Sequence, residues 1–205
     1  MKKTLISFLL ITWLMAGVSF ARTPNFYFTL GIGKPMAPPE MKNNYLSGAN
    51  VGIMAGLPVT KRLELIADVA FQIGVFNSHG FRDNLSEEIN EAAIITGNNA
   101  SFLTTMIKTK FILSPEIESK HIAYLFAGPG LFLSQVGSIK WIAGIDSDGN
   151  IPAKTQTVPG VTCGLGVELN LESTTFIFEL GAIMGFTENK TTVIIPIRIG
   201  LALKP

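Results

Sequence analysis

Between Leu63 and Val75 the chain alternates residue by residue. Its odd positions are Leu63, Leu65, Ala67, Val69, Phe71, Ile73 and Val75, and its even positions are Glu64, Ile66, Asp68, Ala70, Gln72 and Gly74. A side-chain period of two belongs to a β-strand and excludes the 3.6-residue period of an amphipathic helix. Held over thirteen residues, it runs to about twice an ordinary strand. The pattern recurs. Val161, Cys163, Leu165, Val167, Leu169 and Leu171 oppose Gly160, Thr162, Gly164, Gly166, Glu168 and Asn170. Phe178, Leu180, Ala182, Met184 and Phe186 oppose Ile177, Glu179, Gly181, Ile183 and Gly185. Finally, Val193, Ile195, Ile197, Ile199, Leu201 and Leu203 oppose Ile194, Pro196, Arg198, Gly200 and Ala202. Each strand therefore has one uniformly apolar face.

Weaker segments bring the strands to eight: 25–34, 47–58, 61–75, 101–113, 119–134, 158–171, 174–187 and 190–203. The fifth is apolar on both faces, so its orientation stays open. Pro129 and Pro196 each remove a ladder donor and predict local bulges. Connections near Pro58–Thr60, Pro115–Glu118 and Leu171–Ser173 are tight, whereas 35–46, 76–100 and 135–157 are long; the loop after Phe186 is a short exception. An even number of strands, with tight turns at one end and long loops at the other, is the layout of an up-and-down transmembrane β-barrel.

A soluble barrel also alternates, and a soluble periplasmic barrel is the alternative fold. The less apolar face discriminates. If it faced water it would be dense in charges, but it carries mostly Gly, Ala and Thr with a few ions. The whole chain is 47% hydrophobic and 15% charged, with a mean hydropathy of +0.39, against about 25% charged in soluble domains. The sparse face thus suits a crowded lumen. Its ionised residues are the acids Glu64, Asp68, Glu168 and Glu179 and the bases Lys108, Lys110 and Arg198. Each would be costly to bury alone, and mixed signs predict a network of paired charges. An eight-stranded barrel is only wide enough to be filled by side chains, so the network is expected to plug the interior. Inward glycines (31, 33, 52, 56, 164, 166, 181, 185 and 200) would leave room for the long charged chains.

No run of 18 or more apolar residues follows the N-terminus, which excludes further membrane helices on length. At the N-terminus itself, Lys2–Lys3, an apolar run from Leu5 to Val18 and Ser19–Phe20–Ala21 have the parts of a cleavable signal peptide over residues 1–21. An uncleaved anchor helix is the rival reading. Cleavage would leave 22–205 as one barrel domain, its net charge falling from +1 to −1 with the two lysines. A near-neutral chain offers no footprint for nucleic acid. The lone Cys163 excludes an internal disulfide.

From Asn25 to Pro205 these features resemble the small eight-stranded outer-membrane β-barrel proteins of Gram-negative bacteria, a porin-like family. The closing Arg198-Ile199-Gly200-Leu201-Ala202-Leu203 is similar to that family's C-terminal assembly signal, carried here by Arg198, Gly200, Leu201 and Leu203, although no terminal aromatic follows. The resemblance implies a place in the outer membrane, contact with its lipid, and recognition of the last strand by the barrel-assembly machinery.

Catalytic, cofactor and metal sites find little support in the sequence. Rim chemistry would rest on His79, next to Ser78 and near Asp83, or on His121 at the short-turn end; sequence neighbours cannot readily act as nucleophile and base. Asp146-Ser147-Asp148-Gly149-Asn150 alternates oxygen ligands but lacks the later bidentate Glu of an EF-hand, and its flanks suggest a hairpin turn. Ser86–Ile95 predicts a short helix with Ser86 as N-cap and Glu87 and Glu88 in the first turn, covering the rim or presenting a binding surface. No phosphate-binding glycine loop or zinc spacing occurs, and Cys163 is expected to face lipid as an inert hydrophobe. The leading expectation is a non-enzymatic envelope protein with a structural role, or a surface-binding role in which its long loops engage a surface ligand. A narrow porin-type channel and a rim-located lipid-modifying enzyme are the alternatives.

Overall fold

The structure is a computed structural model, and it describes residues 24–85, 93–113, 120–142, 148–171, 174–187 and 190–203. The segment 1–21, most of the helix expected from Ser86, the Pro115–Glu118 turn and Asp146–Ser147 lie outside them. In chain order the elements are β1 (Asn25–Ala37), α1 (Pro39–Asn44), β2 (Tyr45–Leu46), β3 (Gly48–Pro58), β4 (Leu63–Phe76), α2 (Ser78–Arg82), β5 (Ile94–Gly97), β6 (Ala100–Ile112), β7 (His121–Val136), β8 (Ile139–Ile142), β9 (Gly149–Ile151), β10 (Lys154–Asn170), β11 (Thr175–Phe186) and β12 (Thr191–Leu203).

Eight of these strands close on themselves in the order β1-β3-β4-β6-β7-β10-β11-β12, with β12 returning to β1 and every neighbour antiparallel. Closure pairs the backbone around the whole ring and removes the open edges that lipid would make prohibitive. The long alternating segments form the barrel because only a two-residue period holds one apolar face outward over such lengths. Of the four remaining strands, the short β2 pairs with the end of β4, and β5, β8 and β9 form a separate three-stranded sheet. Ile94 and Ile95, expected at the end of a helix, are therefore in a strand: they pair with Ile142 and Trp141. Both are β-branched, and a cross-strand partner outweighs a weak helical signal.

The faces follow the alternation. Glu64, Ile66, Asp68, Ala70, Gln72 and Gly74 are buried in β4, while Leu65, Val69 and Phe71 are exposed outside it. On β10 the outward apolar run extends from Val161 to Leu169, nine residues, the length of a tilted strand crossing a bilayer. Among the described outward positions of the eight strands Lys34 is the one Lys, Arg, Asp or Glu. On β12, Arg198 and Ala202 are buried while Leu201 and Leu203 are exposed.

The orientation of β7 is decided by its neighbours. Tyr124, Phe126 and Phe132 point inward and Leu125 and Leu131 outward. Glycines on β10 and β11 receive those rings: a Cβ at Gly166 would lie 2.3 Å from Tyr124 Cζ, one at Gly164 2.5 Å from Phe126 Cζ, and one at Gly185 2.5 Å from Phe132 Cδ1. Four of the nine inward glycines (164, 166, 181 and 185) thus accommodate aromatic rings, while Gly56 against the Glu64 carboxylate matches the expected use for a charged chain.

The bulges expected at Pro129 and Pro196 do not form. Pro129 stays in register with Val161 and Pro196 with Gly33. Pairing instead lapses on one side of each proline, between Met106↔Gly130 and Thr109↔Ala127, and between Leu180↔Ile197 and Ile183↔Ile194. A missing donor breaks one rung, whereas a bulge requires an inserted residue. The register shift of β1 against β12 falls at Pro35–Ala37.

Candidate functional site

All seven ionised residues assigned to the lumen are buried there, drawn from β4, β6, β10, β11 and β12. They form two linked clusters. In the lower one Lys110 Nζ contacts Glu64 Oε2 at 2.9 Å and also Glu168. Glu64 Oε1 further accepts hydrogen bonds from the Tyr27 hydroxyl (2.8 Å) and Asn25 Nδ2 (3.0 Å). In the upper cluster Asp68 Oδ2 meets Lys108 Nζ at 3.0 Å and Arg198 Nη1 at 2.9 Å, with Glu179 3.6 Å from Lys108. Tyr124 joins the two, donating to Glu179 (3.1 Å) while Lys110 sits 4.6 Å from its ring centroid.

The ladders account for only part of this pairing: Glu64 and Lys110 are register partners on β4 and β6. Arg198 is the register partner of Glu179 on β11, yet its guanidinium reaches across the lumen to Asp68 on β4. In so narrow a barrel opposing inward chains meet across the axis, so the network ties one half of the wall to the other. Four acids face three bases. Tyr27, Asn25 and Tyr124 are the members that charge-based reading overlooked; the inward parity of Tyr27, two residues before Thr29, was the available signal for the first.

Above the charges the interior turns apolar, with Met41, Tyr45, Phe102, Met106, Phe132, Ile183 and Ile194 packed together. Two open cavities flank this filled section. One of about 310 Å³ lies at the short-turn end beside Glu64, Lys110 and Glu168, and one of about 720 Å³ lies at the long-loop mouth. Between them, at Lys108, Glu179 and Arg198, there is space of only about 10 Å³, enough for about one water.

The long-loop mouth is itself folded. Trp141 on β8 pairs with Gly149 on β9, where its indole lies over the glycine. Its other side packs on Phe81 of α2, which in turn packs on Phe76 at the end of β4. Arg82 donates to the Ala93 carbonyl at 2.9 Å. Glu40 of α1 accepts from Lys190 at 2.6 Å, both chains more than half exposed; that hydrogen bond holds the Glu40 carboxyl below the ordinary carboxylate range.

The sequence candidates for chemistry are not assembled into a site. Ser78 and His79 lie on α2, His79 exposed, and what joins His79 to Asp83 is a backbone hydrogen bond from the Asp83 N–H to the His79 carbonyl (3.1 Å). His121 begins β7 at the opposite end of the barrel. Of Asp146–Asn150 the described part, Asp148–Asn150, enters the β8–β9 hairpin. Among the described residues no cluster of three His, Cys, Asp or Glu side chains could hold a metal. Cys163 is exposed on the outer wall.

Three crystal structures place this geometry among known folds. The chain is similar to Neisserial surface protein A (12% identity, 89% of this chain and 97% of that one, TM-score 0.61). It is similar to a major outer membrane protein from Thermus thermophilus (13% identity, 89% and 99%, TM-score 0.57). It is also similar to Ail, the attachment invasion locus protein of Yersinia pestis (10% identity, 89% and 100%, TM-score 0.51). At these identities the likeness is one of fold, that of the small eight-stranded outer-membrane barrels. No protein-family profile matches the chain, and no curated protein matches it in sequence.

Proposed function

We propose that this protein is an integral outer-membrane barrel without enzymatic activity, whose lumen is a structural plug and whose long-loop end presents a binding surface. One observation carries the reading: the described outward positions of eight strands hold a single ionised side chain, Lys34, while seven ionised residues are buried inside. That distribution is the inverse of a soluble barrel and is stable only where the outer wall meets hydrocarbon. Phe26, Phe28, Leu30, Ile32, Ile107, Leu165, Leu180 and Ile199 are among the exposed outer residues, a contiguous area far beyond what a soluble monomer leaves in water. Export would use the segment 1–21, and insertion would use the last strand, with Leu201 and Leu203 on the face that an assembly partner could read.

Membrane fractionation with heat-dependent gel mobility tests the location. Recovery in the membrane fraction, with a mobility change on boiling, is expected; recovery in the soluble periplasm without that change would sink the proposal. Planar-bilayer recording tests the plug, and silence is expected because the section at Lys108 and Arg198 leaves room for about one water. A reproducible unit conductance would favour the narrow-channel reading instead.

A further inference from the structure

The barrel strands end at different heights at the long-loop mouth, and the difference opens the wall. β10 pairs with β11 from Gly160 to Asn170, but its residues Lys154–Pro159 pair on one side alone, with Leu131–Val136 of β7. The cause is the short connection after Phe186. The chain turns back at once, Phe186 facing Thr191, and the turn is held by the Thr187 hydroxyl on the Lys190 carbonyl. Six residues of β10, about 20 Å at the usual rise, therefore stand beside a gap with no described strand along their second edge.

The cavity of about 720 Å³ fills that gap and continues inward. Its volume falls in the range of small-ligand sites. Its chemistry is divided: Met41, Phe102, Val136 and Val158 make the inner wall, Lys154 and Lys190 stand at the rim, and no carboxylate is among the described lining residues. Below, Phe102 and Phe132 close it from the lumen, so it is a blind cup. Sideways, it is continuous with the outer wall through exposed Pro159 and Phe186. The opening starts where the outward residues of β10 change from Val161 and Cys163 to Thr157 and Thr155, the upper border of the apolar belt.

We propose that this lateral notch binds an anionic amphiphile from the membrane, with its apolar chain in the cup and its anionic head between Lys154 and Lys190. The proposal rests on the membrane reading above. An opening through the wall at the height of the lipid headgroups favours a ligand arriving from the bilayer, and Lys154 at the rim, with no carboxylate among the described lining residues, selects an anion over a neutral chain. Lys190 already shares its charge with Glu40, which leaves Lys154 the greater part of the selectivity.

The test uses the whole barrel in phosphatidylcholine nanodiscs holding a small fraction of a diazirine-bearing fatty acid, with labelled peptides mapped by mass spectrometry. Labelling concentrated on 131–136, 154–159 and Phe102 is expected. Lys154→Glu should lower it about two- to fivefold, as loss of a rim ion pair predicts, and the matching diazirine alcohol should label the cup little. Gln156→Trp, which fills the cup without touching its charge, should also lower it. Uniform labelling around the belt, or equal labelling by acid and alcohol, would overturn the site. Octyl sulfate added from water distinguishes the sources: occupancy by it, with none by the bilayer-borne acid, would overturn the membrane origin. A barrel that keeps its heat-dependent mobility but labels uniformly refutes this site alone, whereas loss of that mobility in the parent chain refutes the membrane reading beneath it.

Discussion

Arg198 provides the sharpest test of the lumen. Its guanidinium is 2.9 Å from Asp68 Oδ2, and both side chains are 4% exposed. Replacing Arg198 by Met keeps most of the volume but changes the seven-residue cluster from four acids and three bases to four acids and two. Breaking one partner of a buried pair costs about 3–5 kcal/mol. Asp68 retains Lys108 at 3.0 Å, so the lower end applies, about 3 kcal/mol. For a domain of this size each kcal/mol moves the midpoint by about 2–4 °C, giving a fall of about 6–12 °C in thermal unfolding followed by circular dichroism in micelles. The partner substitution Asp68→Leu strands Arg198 and should cost at least as much. The double variant restores the original net charge but leaves Lys108 with Glu179 at 3.6 Å as its counter-ion, so it should lose clearly less than the sum of the two single losses, a coupling of more than about 2 kcal/mol. If the double variant loses the sum of the two single losses, the charges are not a mutually dependent pair and do not hold the plug together.

Gly166→Ala places a Cβ 2.3 Å from the Tyr124 ring and should cost about 1–3 kcal/mol by overpacking, whereas Gly181→Ala, whose nearest neighbour is 3.2 Å away, should cost less; equal melting of the two would contradict the glycine–aromatic fit. Cys163, exposed on the outer belt, should react in membranes with a lipid-soluble maleimide and resist a charged thiol reagent, and equal reaction with both would place it in water. For Glu40 the sign follows from its lowered carboxyl: the tie to Lys190 is present above the ordinary carboxylate range and is lost as pH falls through the lowered value. Both chains are largely exposed, so stability should change by less than about 1 kcal/mol. Carboxyl NMR should show the Glu40 titration moving up in Lys190→Met, and an unmoved titration would count against the contact.

The legible and illegible parts of the site separate along physical lines. Glu64, Asp68, Glu168, Glu179 and Arg198 could be assigned to the interior because each lies at fixed parity within a long strand whose other face is wholly apolar. Most of their partners could not be read: apart from Glu64 and Lys110, which are register partners, Lys110 reaches past β7 to Glu168 and Arg198 reaches across the lumen to Asp68, contacts that depend on ring closure and strand stagger. Tyr124 and Phe132 were ambiguous for a related reason: β7 is apolar on both faces, and its orientation depends on glycines on other strands that receive the rings.

What the amino-acid order determined by itself is the set of eight long strands and which face of most of them avoids water. Period two and the small supply of charge suffice for that, because both are local properties of the chain. Only the tertiary structure decided the cross-lumen ion pairs, the small sheet that joins Ile94–Gly97 to Ile139–Ile142, and the notch where β10 outruns the β11–β12 hairpin. Each brings together residues far apart in sequence, and closing the ring is what sets their heights and distances.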